Sequence, residues 1–304
     1  MNILITGANG FVGKHLTQKM LDEGNDVFAI VTNDIGLKDD KLHTINCFFE
    51  EYNKLDNLIN SEIDIVYHLA WDGLSGEKAR DVDLQIKNVI ATQRLLECCK
   101  KMKVKKFIFA STMNTLEVRR FIERPTDYTI RGVYVHVAAK INAEIIARTF
   151  CYENNIQFNE AIVAMTYGEG NMSKMVINVF IYDILNGISP NLVKGDNDYD
   201  VIYVGDVVNA FCAIGEKGIN GKSYYVGHDW DKTFKEIFLD IKNVLNPNAF
   251  INFGAFPDDN KIDFSLINKK ELNIDTGWQI KSDFADSIKS TANWLKKSGY
   301  CCEV

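Results

Sequence analysis

Several kinds of segment are missing from this 304-residue chain, and each absence removes a class of protein. Its seven cysteines include no CxxC pair, and the neighbours Cys98 with Cys99 and Cys301 with Cys302 suit neither a disulfide framework nor a tetrahedral zinc site. Reduced thiols in a cytoplasmic protein are the expectation. No apolar run reaches membrane length, and the opening MNILITG has neither a basic leader nor a cleavage site, which predicts a chain that is not exported or anchored. The net charge is −7 and no basic cluster exceeds KKMKVKK at 100–106, so nucleic acid is excluded as a partner. Repeats and low-complexity tracts are lacking too. The acidic DDNKID at 258–263 has no ligand spacing, and no metal site is expected there.

What is present suits a large buried core: 46% of residues are apolar and 25% charged. Short β-rich runs (NILIT, DVFAIVT, IDIVYHLA, KKFIFAST) alternate with segments of helical period at about 11–23, 77–101 and 133–153. Such alternation predicts an α/β protein with a doubly wound parallel sheet of the Rossmann type and right-handed crossovers. Along the second helix Val82, Ile86, Val89, Gln93 and Leu96 form the expected buried stripe; along the third, Val137, Ile141, Ile145 and Thr149. After Ile162 glycines and Pro190 punctuate shorter elements, VIYVGDVV reads as strand into helix, and a last helix is expected at about 282–297. The division that follows is a dinucleotide-binding domain at 1–165, with a return segment at about 195–215, and a smaller interleaved substrate lobe at 166–304.

The strongest local signal is TGANGFVG at 6–13, with Gly7, Gly10 and Gly13 between the first strand and the first helix. Glycines there let the backbone turn tightly and approach a pyrophosphate at the helix N-terminus, where free N–H groups and the dipole favour anions. A dinucleotide is the ligand this implies.

With that motif go HLA at 68–70, Asn88, Lys140, YGEG at 167–170, VIYVGDVVNA at 201–210 and LNIDTGWQIKSDFADSI near the C-terminus. Together they resemble the extended short-chain dehydrogenases/reductases, the NAD-dependent epimerase/dehydratase family, and most of all nucleotide-sugar 4-ketoreductases and epimerases of the CDP-abequose synthase type. The resemblance implies an NAD(P)-dependent oxidoreductase or epimerase on a nucleotide-linked sugar, working as a homodimer. It also implies a cofactor site at Gly7, Asn9, Gly10, Phe11, Val12, Gly13, Thr32, Leu69, Ala70 and Lys140, and substrate contacts at Trp71, Met165 and Tyr199. The catalytic set carried over is Thr112, His136 and Lys140, with Ser111 beside the first.

In that family a tyrosine four residues before the lysine exchanges a proton with the sugar oxygen, and here the matching residue is His136. Tyr134 cannot take its place, because two residues of helix turn a side chain by about 200°. Imidazole is capable of acid–base work, its ordinary pKa of about 6.5 lying nearer neutrality than a phenol's. Two readings of His136 stand: a catalytic group, or a ring that lines the site without transferring a proton. Other departures fall in the substrate half, where Tyr199, Ile162 and Asp259 occupy positions that are often basic in the family. Lys174, Lys194 and Lys222 are the candidate replacements. The alternatives are therefore a dinucleotide-binding module without catalysis, or an enzyme on a substrate that is not a nucleotide sugar. After the second strand, AIVTND has Val31 at the usual acidic position and Thr32 at the usual arginine position, and Asp34 would repel a phosphate, which favours NAD over NADP.

Overall fold

The structure, a computed structural model, describes residues 1–124, 134–258 and 261–301. Its first half alternates strand and helix: β1 (Asn2–Thr6), α1 (Phe11–Asp22), β2 (Asp26–Val31), β3 (Leu42–Asn46), the short α2 (Leu55–Leu58), β4 (Ile65–His68), α3 (Val82–Lys101) and β5 (Lys106–Thr112). Then come α4 (Asn114–Glu123), α5 (Tyr134–Glu153), β6 (Gln157–Val163), β7 (Met165–Tyr167), α6 (Val176–Leu185), β8 (Asn191–Val193), β9 (Val201–Tyr203), α7 (Val204–Lys217) and β10 (Ser223–Val226). The chain finishes with α8 (Phe234–Leu245), β11 (Asn252–Phe256), α9 (Glu271–Thr276) and α10 (Phe284–Lys297).

Seven strands form one parallel sheet in the order β10-β6-β5-β4-β1-β2-β3, with β1 inside it and Ile3 paired to both Ile65 and Val27. Ile3, Leu4 and Ile5 have no exposed surface, as expected for a strand covered on both faces. On one face Leu16 and Met20 of α1 meet Phe211 and Ile214 of α7; on the other, α3 and α5 pack over Phe107, Phe109 and Phe158. The fold is the doubly wound one expected. β10 shows that the return to this sheet runs on to Val226, beyond the 195–215 read from sequence. Two small parallel sheets, β7 with β9 and β8 with β11, build the remainder.

Lys106, buried at the start of β5, fastens the returning helix. Its ammonium donates to the carbonyls of Ile214 (3.1 Å), Gly215 (2.9 Å) and Gly218 (3.2 Å), at the negative dipole end of α7.

Each expected helix stripe is only partly right: Val89 and Leu96 on α3 and Val137 on α5 are buried, and the other members drift off the buried face. On α3 the buried residues include Gln85, Asn88, Val89, Leu95 and Leu96, while Val82 and Ile86 are 58% and 50% exposed. On α5 they include His136, Lys140, Ala143, Ala147 and Cys151, with Ile145 55% exposed. Alanines allow α5 to lie close against the sheet and α3, so the larger isoleucine is turned outward. Residues 77–80 form a separate 3₁₀ turn, because Asp81 accepts the Leu84 N–H and starts α3 after it.

Candidate active site

At the carboxyl end of β1 the chain turns through Gly7, whose φ of +69° suits glycine. A Cβ on Gly7 would lie 2.9 Å from the Ala70 backbone, and one on Gly13 only 2.0 Å from the Gly7 carbonyl oxygen. Gly10 caps α1 in extended conformation and donates its N–H to Gly7 O at 2.9 Å. The first-turn N–H groups of Phe11, Val12 and Gly13 point out of the helix start without intrahelical acceptors. This is a cradle for an anion, open to close backbone approach, and it suits a dinucleotide pyrophosphate.

A buried hydrogen-bond chain fixes the strand beside it. Ala70 N–H donates to Thr6 Oγ1 (3.2 Å), the Thr6 hydroxyl to His68 Nδ1 (2.7 Å), His68 Nε2–H to Thr92 Oγ1 (2.9 Å) and the Thr92 hydroxyl to the Asn88 carbonyl (3.0 Å). Since Thr92 already donates to Asn88, the His68 proton sits on Nε2. Burial, helped by the Lys140 charge, pushes His68 down to about 3, so it is a neutral link that sets Leu69 and Ala70 against the glycine turn.

Lys140 and His136 lie one turn apart on the buried face of α5. Lys140 is 5% exposed; Nζ donates to the Ala110 carbonyl at 2.9 Å and lies 4.3 Å above the Trp71 ring and 5.4 Å from that of Phe109. No carboxylate among the described residues is within ion-pair distance of it. Burial lowers its pKa to about 7, against the opposing pull of the Glu160 charge. His136 is 3% exposed, and neither ring nitrogen has a partner among the described residues. Burial first, then the Lys140 charge, lowers it to about 3.

Thr112 ends β5, half-buried, with Oγ1 accepting the Asn114 N–H at 3.4 Å. The buried Ser111 hydroxyl next to it has no partner among the described residues. Tyr134 is turned away, as its offset requires: its hydroxyl donates to Glu117 Oε1 at 3.1 Å and its ring packs on Phe121.

Sequence reasoning named Asn88 but passed over Gln85, the residue that aims Trp71. Its indole N–H donates to Gln85 Oε1 at 2.9 Å, and Gln85 Nε2 donates in turn to the carbonyls of Gly73 and Lys78, each at 2.9 Å. Asn88 accepts the Asp72 N–H and donates to the Asp72 carbonyl, both at 2.9 Å. Glutamine and asparagine three apart on the buried side of a helix were the available signal.

The YGEG loop closes over the helix start, where the Glu169 carbonyl accepts from His15 Nε2 at 2.8 Å and the carboxylate accepts from Tyr203 (2.7 Å) and Ser290. Asn9 Nδ2 donates to Thr32 Oγ1 at 3.4 Å on the exposed rim. Val31 is buried, and Asp34 accepts the Gly36 N–H at 2.9 Å.

Tyr199 and Met165 meet: the tyrosine is 6% exposed and its hydroxyl donates to the Met165 sulfur at 3.4 Å. Beside them a cavity of about 370 Å³ is lined by Val176, Leu192, Asn197, Tyr199, Phe234 and Phe256. Asp200 accepts from Tyr225 Oη (2.8 Å), His228 N (2.7 Å) and His228 Nδ1 (3.0 Å), and Trp230 stacks on that imidazole. Two lysines considered as phosphate ligands are committed elsewhere, Lys194 to Asp196 and Lys222 to Glu271 and Asp275. Ile162 is wholly buried, and Asp259 lies outside the described residues. A larger groove of about 560 Å³ near Lys100, Lys103 and Lys105 lies at the amino ends of β5 and β6, the wrong end of a doubly wound sheet for its ligands.

The model of the NAD dependent epimerase/dehydratase family matches residues 3–227. The chain is 27% identical over 300 residues to a CDP-abequose synthase of Salmonella typhimurium, covering 94% of this chain and 96% of that one. It is 25% identical over 312 residues to a putative UDP-glucose 4-epimerase of Methanocaldococcus jannaschii, covering 97% and 99%. Among solved structures, a UDP-glucose 4-epimerase from Thermotoga maritima with UDP-glucose superimposes with a TM-score of 0.81, at 23% identity over 98% of this chain and 99% of that one. The Bordetella bronchiseptica enzyme WbmF in complex with NADH gives a TM-score of 0.80 at 20% identity, covering 98% and 92%.

Proposed function

Because the chain belongs to the NAD dependent epimerase/dehydratase family, we propose that it is an enzyme of the 4-ketoreductase or epimerase type acting on a nucleotide-linked sugar with NAD(H). The observation that carries this reading is the joining of two features at one end of the sheet. Gly7, Gly10 and Gly13 make a tight turn into α1, whose free N–H groups suit a pyrophosphate, and a buried lysine with no ion-pair carboxylate among the described residues donates to the Ala110 carbonyl of β5.

Gly7, Asn9, Gly10, Phe11, Val12, Gly13, Thr32, Leu69, Ala70 and Lys140 would hold the dinucleotide. When bound it supplies or accepts a hydride. The absence of an arginine at Thr32 and the carboxylate of Asp34 on the rim after β2 support NAD rather than NADP. Thr112 hydrogen-bonds the reacting sugar oxygen, and Lys140 and His136 form the floor beneath it. The aromatic cavity of Tyr199, Phe234 and Phe256 takes the base of the nucleotide.

A homodimer completes the reading. Val82, Ile86 and Ile90 recur at four-residue intervals on α3 and are 43–58% exposed, and Ile145 and Tyr152 stand out from α5, which packs beside α3. No helix among the described residues is long and apolar enough to cross a membrane, and the buried cysteines are free thiols, consistent with work in the cytoplasm.

Mass spectrometry of small molecules released from the native protein, with calorimetry of NAD, NADP and UDP-glucose, tests the proposal. A bound dinucleotide with a nucleotide sugar supports it. A dinucleotide with no affinity for any nucleotide sugar leaves the non-catalytic module, which the replacement of the family tyrosine by a buried neutral His136 favours.

A further inference from the structure

We propose that Lys140 itself is the proton-transfer group of this site, giving the substrate oxygen its proton on reduction and taking it back on oxidation, while His136 stays a neutral ring. The proposal rests on the functional reading above and deepens it.

The geometry separates the three candidates. Thr112 is a hydroxyl that donates and accepts hydrogen bonds but does not ionise in any useful range. His136 would have to become an imidazolium to serve as the acid. It is 3% exposed, neither nitrogen has a partner among the described residues to share a charge, and Lys140 is one turn away. Lys140 differs in two ways. Among the described residues its Nζ has one hydrogen bond, to Ala110 O, which leaves two N–H groups for other acceptors. It is also held against the Trp71 and Phe109 rings, with no carboxylate among the described residues in ion-pair range to keep it permanently an ammonium.

Each element packed around Nζ agrees. His68 on β4 is neutral and bound into its threonine chain. Glu160 on β6 is the carboxylate that favours the ammonium, and it is drawn off by Arg119 (3.2 Å) and the Ser223 hydroxyl (2.7 Å). Glu144, one turn along α5, is taken by Arg148 and Arg119. What remains is an amine that changes charge at about pH 7, where a general acid–base group is most effective.

In reduction, a reduced nicotinamide held at the glycine turn would supply the hydride for the carbonyl carbon, and the C=O π pair would pass to oxygen. That oxygen takes a proton from Nζ, and the amine left behind regains one from solvent. Oxidation runs the same steps backwards.

The first test needs no turnover. The chain is labelled with ¹³Cε-lysine, and the ligand-free protein is titrated beside Lys140→Met. One resonance should move with a midpoint near 7 and be missing from the variant; a Lys140 resonance that titrates above about pH 9 overturns the proposal. The second test uses kinetics on UDP-glucose or a nucleotide-linked 4-keto hexose. Lys140→Arg keeps a charge that cannot be given up, and turnover should fall on the order of 10²-fold. Turnover within threefold of wild type would show that only fixed charge is needed, which is fatal to the idea. His136→Ala should keep the pH break near 7 whatever its rate, and loss of that break would move the role to His136. If the wild-type chain binds no nicotinamide dinucleotide, the functional reading falls and takes this proposal with it. A high-pH titration ends the proposal alone.

Discussion

Replacing Lys140 by methionine should make the protein more stable at pH 6. The buried amine has its pKa lowered from 10.5 to about 7, so in this range the unfolded chain binds more protons than the folded one. Folding therefore becomes more favourable as pH rises from about 7 to 10.5, and below 7 the full penalty of burying the ammonium is felt. At roughly 1.4 kcal/mol per tenfold change in proton affinity, that penalty is about 5 kcal/mol at pH 6, about 2 at pH 9 and under about 1 at pH 10. Methionine fills nearly the same volume without a charge. It gives up the bond to Ala110 O and the contact with the Trp71 ring, worth about 1–2 kcal/mol together. A net gain of about 3 kcal/mol at pH 6, fading to nothing by pH 10, is the expectation. Urea titrations of both proteins at the two pH values measure it. A variant less stable than wild type at pH 6, or a gain of equal size at pH 10, would refute the picture of an isolated buried cation.

Three further outcomes are expected. Gly13→Ala places a Cβ 2.0 Å from the Gly7 oxygen, so the cradle must open; dinucleotide affinity by calorimetry should drop at least tenfold, with some loss of stability. His136 has a folded pKa of about 3 against 6.5 ordinarily, so its neutral form supports folding above 6.5 and that support is lost as pH falls toward 3, roughly 5 kcal/mol in all. His136→Phe, lacking the buried nitrogens, should then move the acid-unfolding midpoint followed by circular dichroism to lower pH, and an unmoved midpoint would show that the ring is not buried neutral. Ile86→Glu puts a charge in the middle of the exposed α3 row, and sedimentation velocity is expected to give dimer for the wild-type chain and monomer for the variant; a monomeric wild type would refute the dimer.

The parts of the site that were legible in sequence are those set by local backbone geometry. Gly7, Gly10 and Gly13 follow from what a tight strand-to-helix turn demands, and a Cβ on any of them would crowd backbone atoms of the turn or of Ala70. The exclusion of Tyr134 follows from helical rotation alone, and the ring does face Glu117 and Phe121. Which face of a helix is buried was not legible where the apolar residues are spread around it. On α3, Gln85 and Asn88 are inside because the loop at 72–78 has carbonyls to satisfy, and Val82 and Ile86 are left outside.

The state of Lys140 belongs to a third kind of information, carried by residues far apart in the chain. A lysine four residues after a histidine could meet a carboxylate, water or a ring, and only the first would fix its charge. Here Trp71 arrives from the end of β4, held by Gln85 on α3, and covers the ammonium on one side while Ala110 O takes one hydrogen. Glu160, able to neutralise it, is committed to Arg119 and Ser223 instead. The same long-range pairing removes Lys222 from the substrate half by binding it to Glu271 and Asp275. Opposite chemical outcomes for two lysines, one isolated and one doubly paired, thus arise from partners that no local pattern names. If His136 stands where the family has its tyrosine, the site would still hold a candidate proton donor: a lysine offered no carboxylate by the described residues, whose pKa burial lowers to about 7.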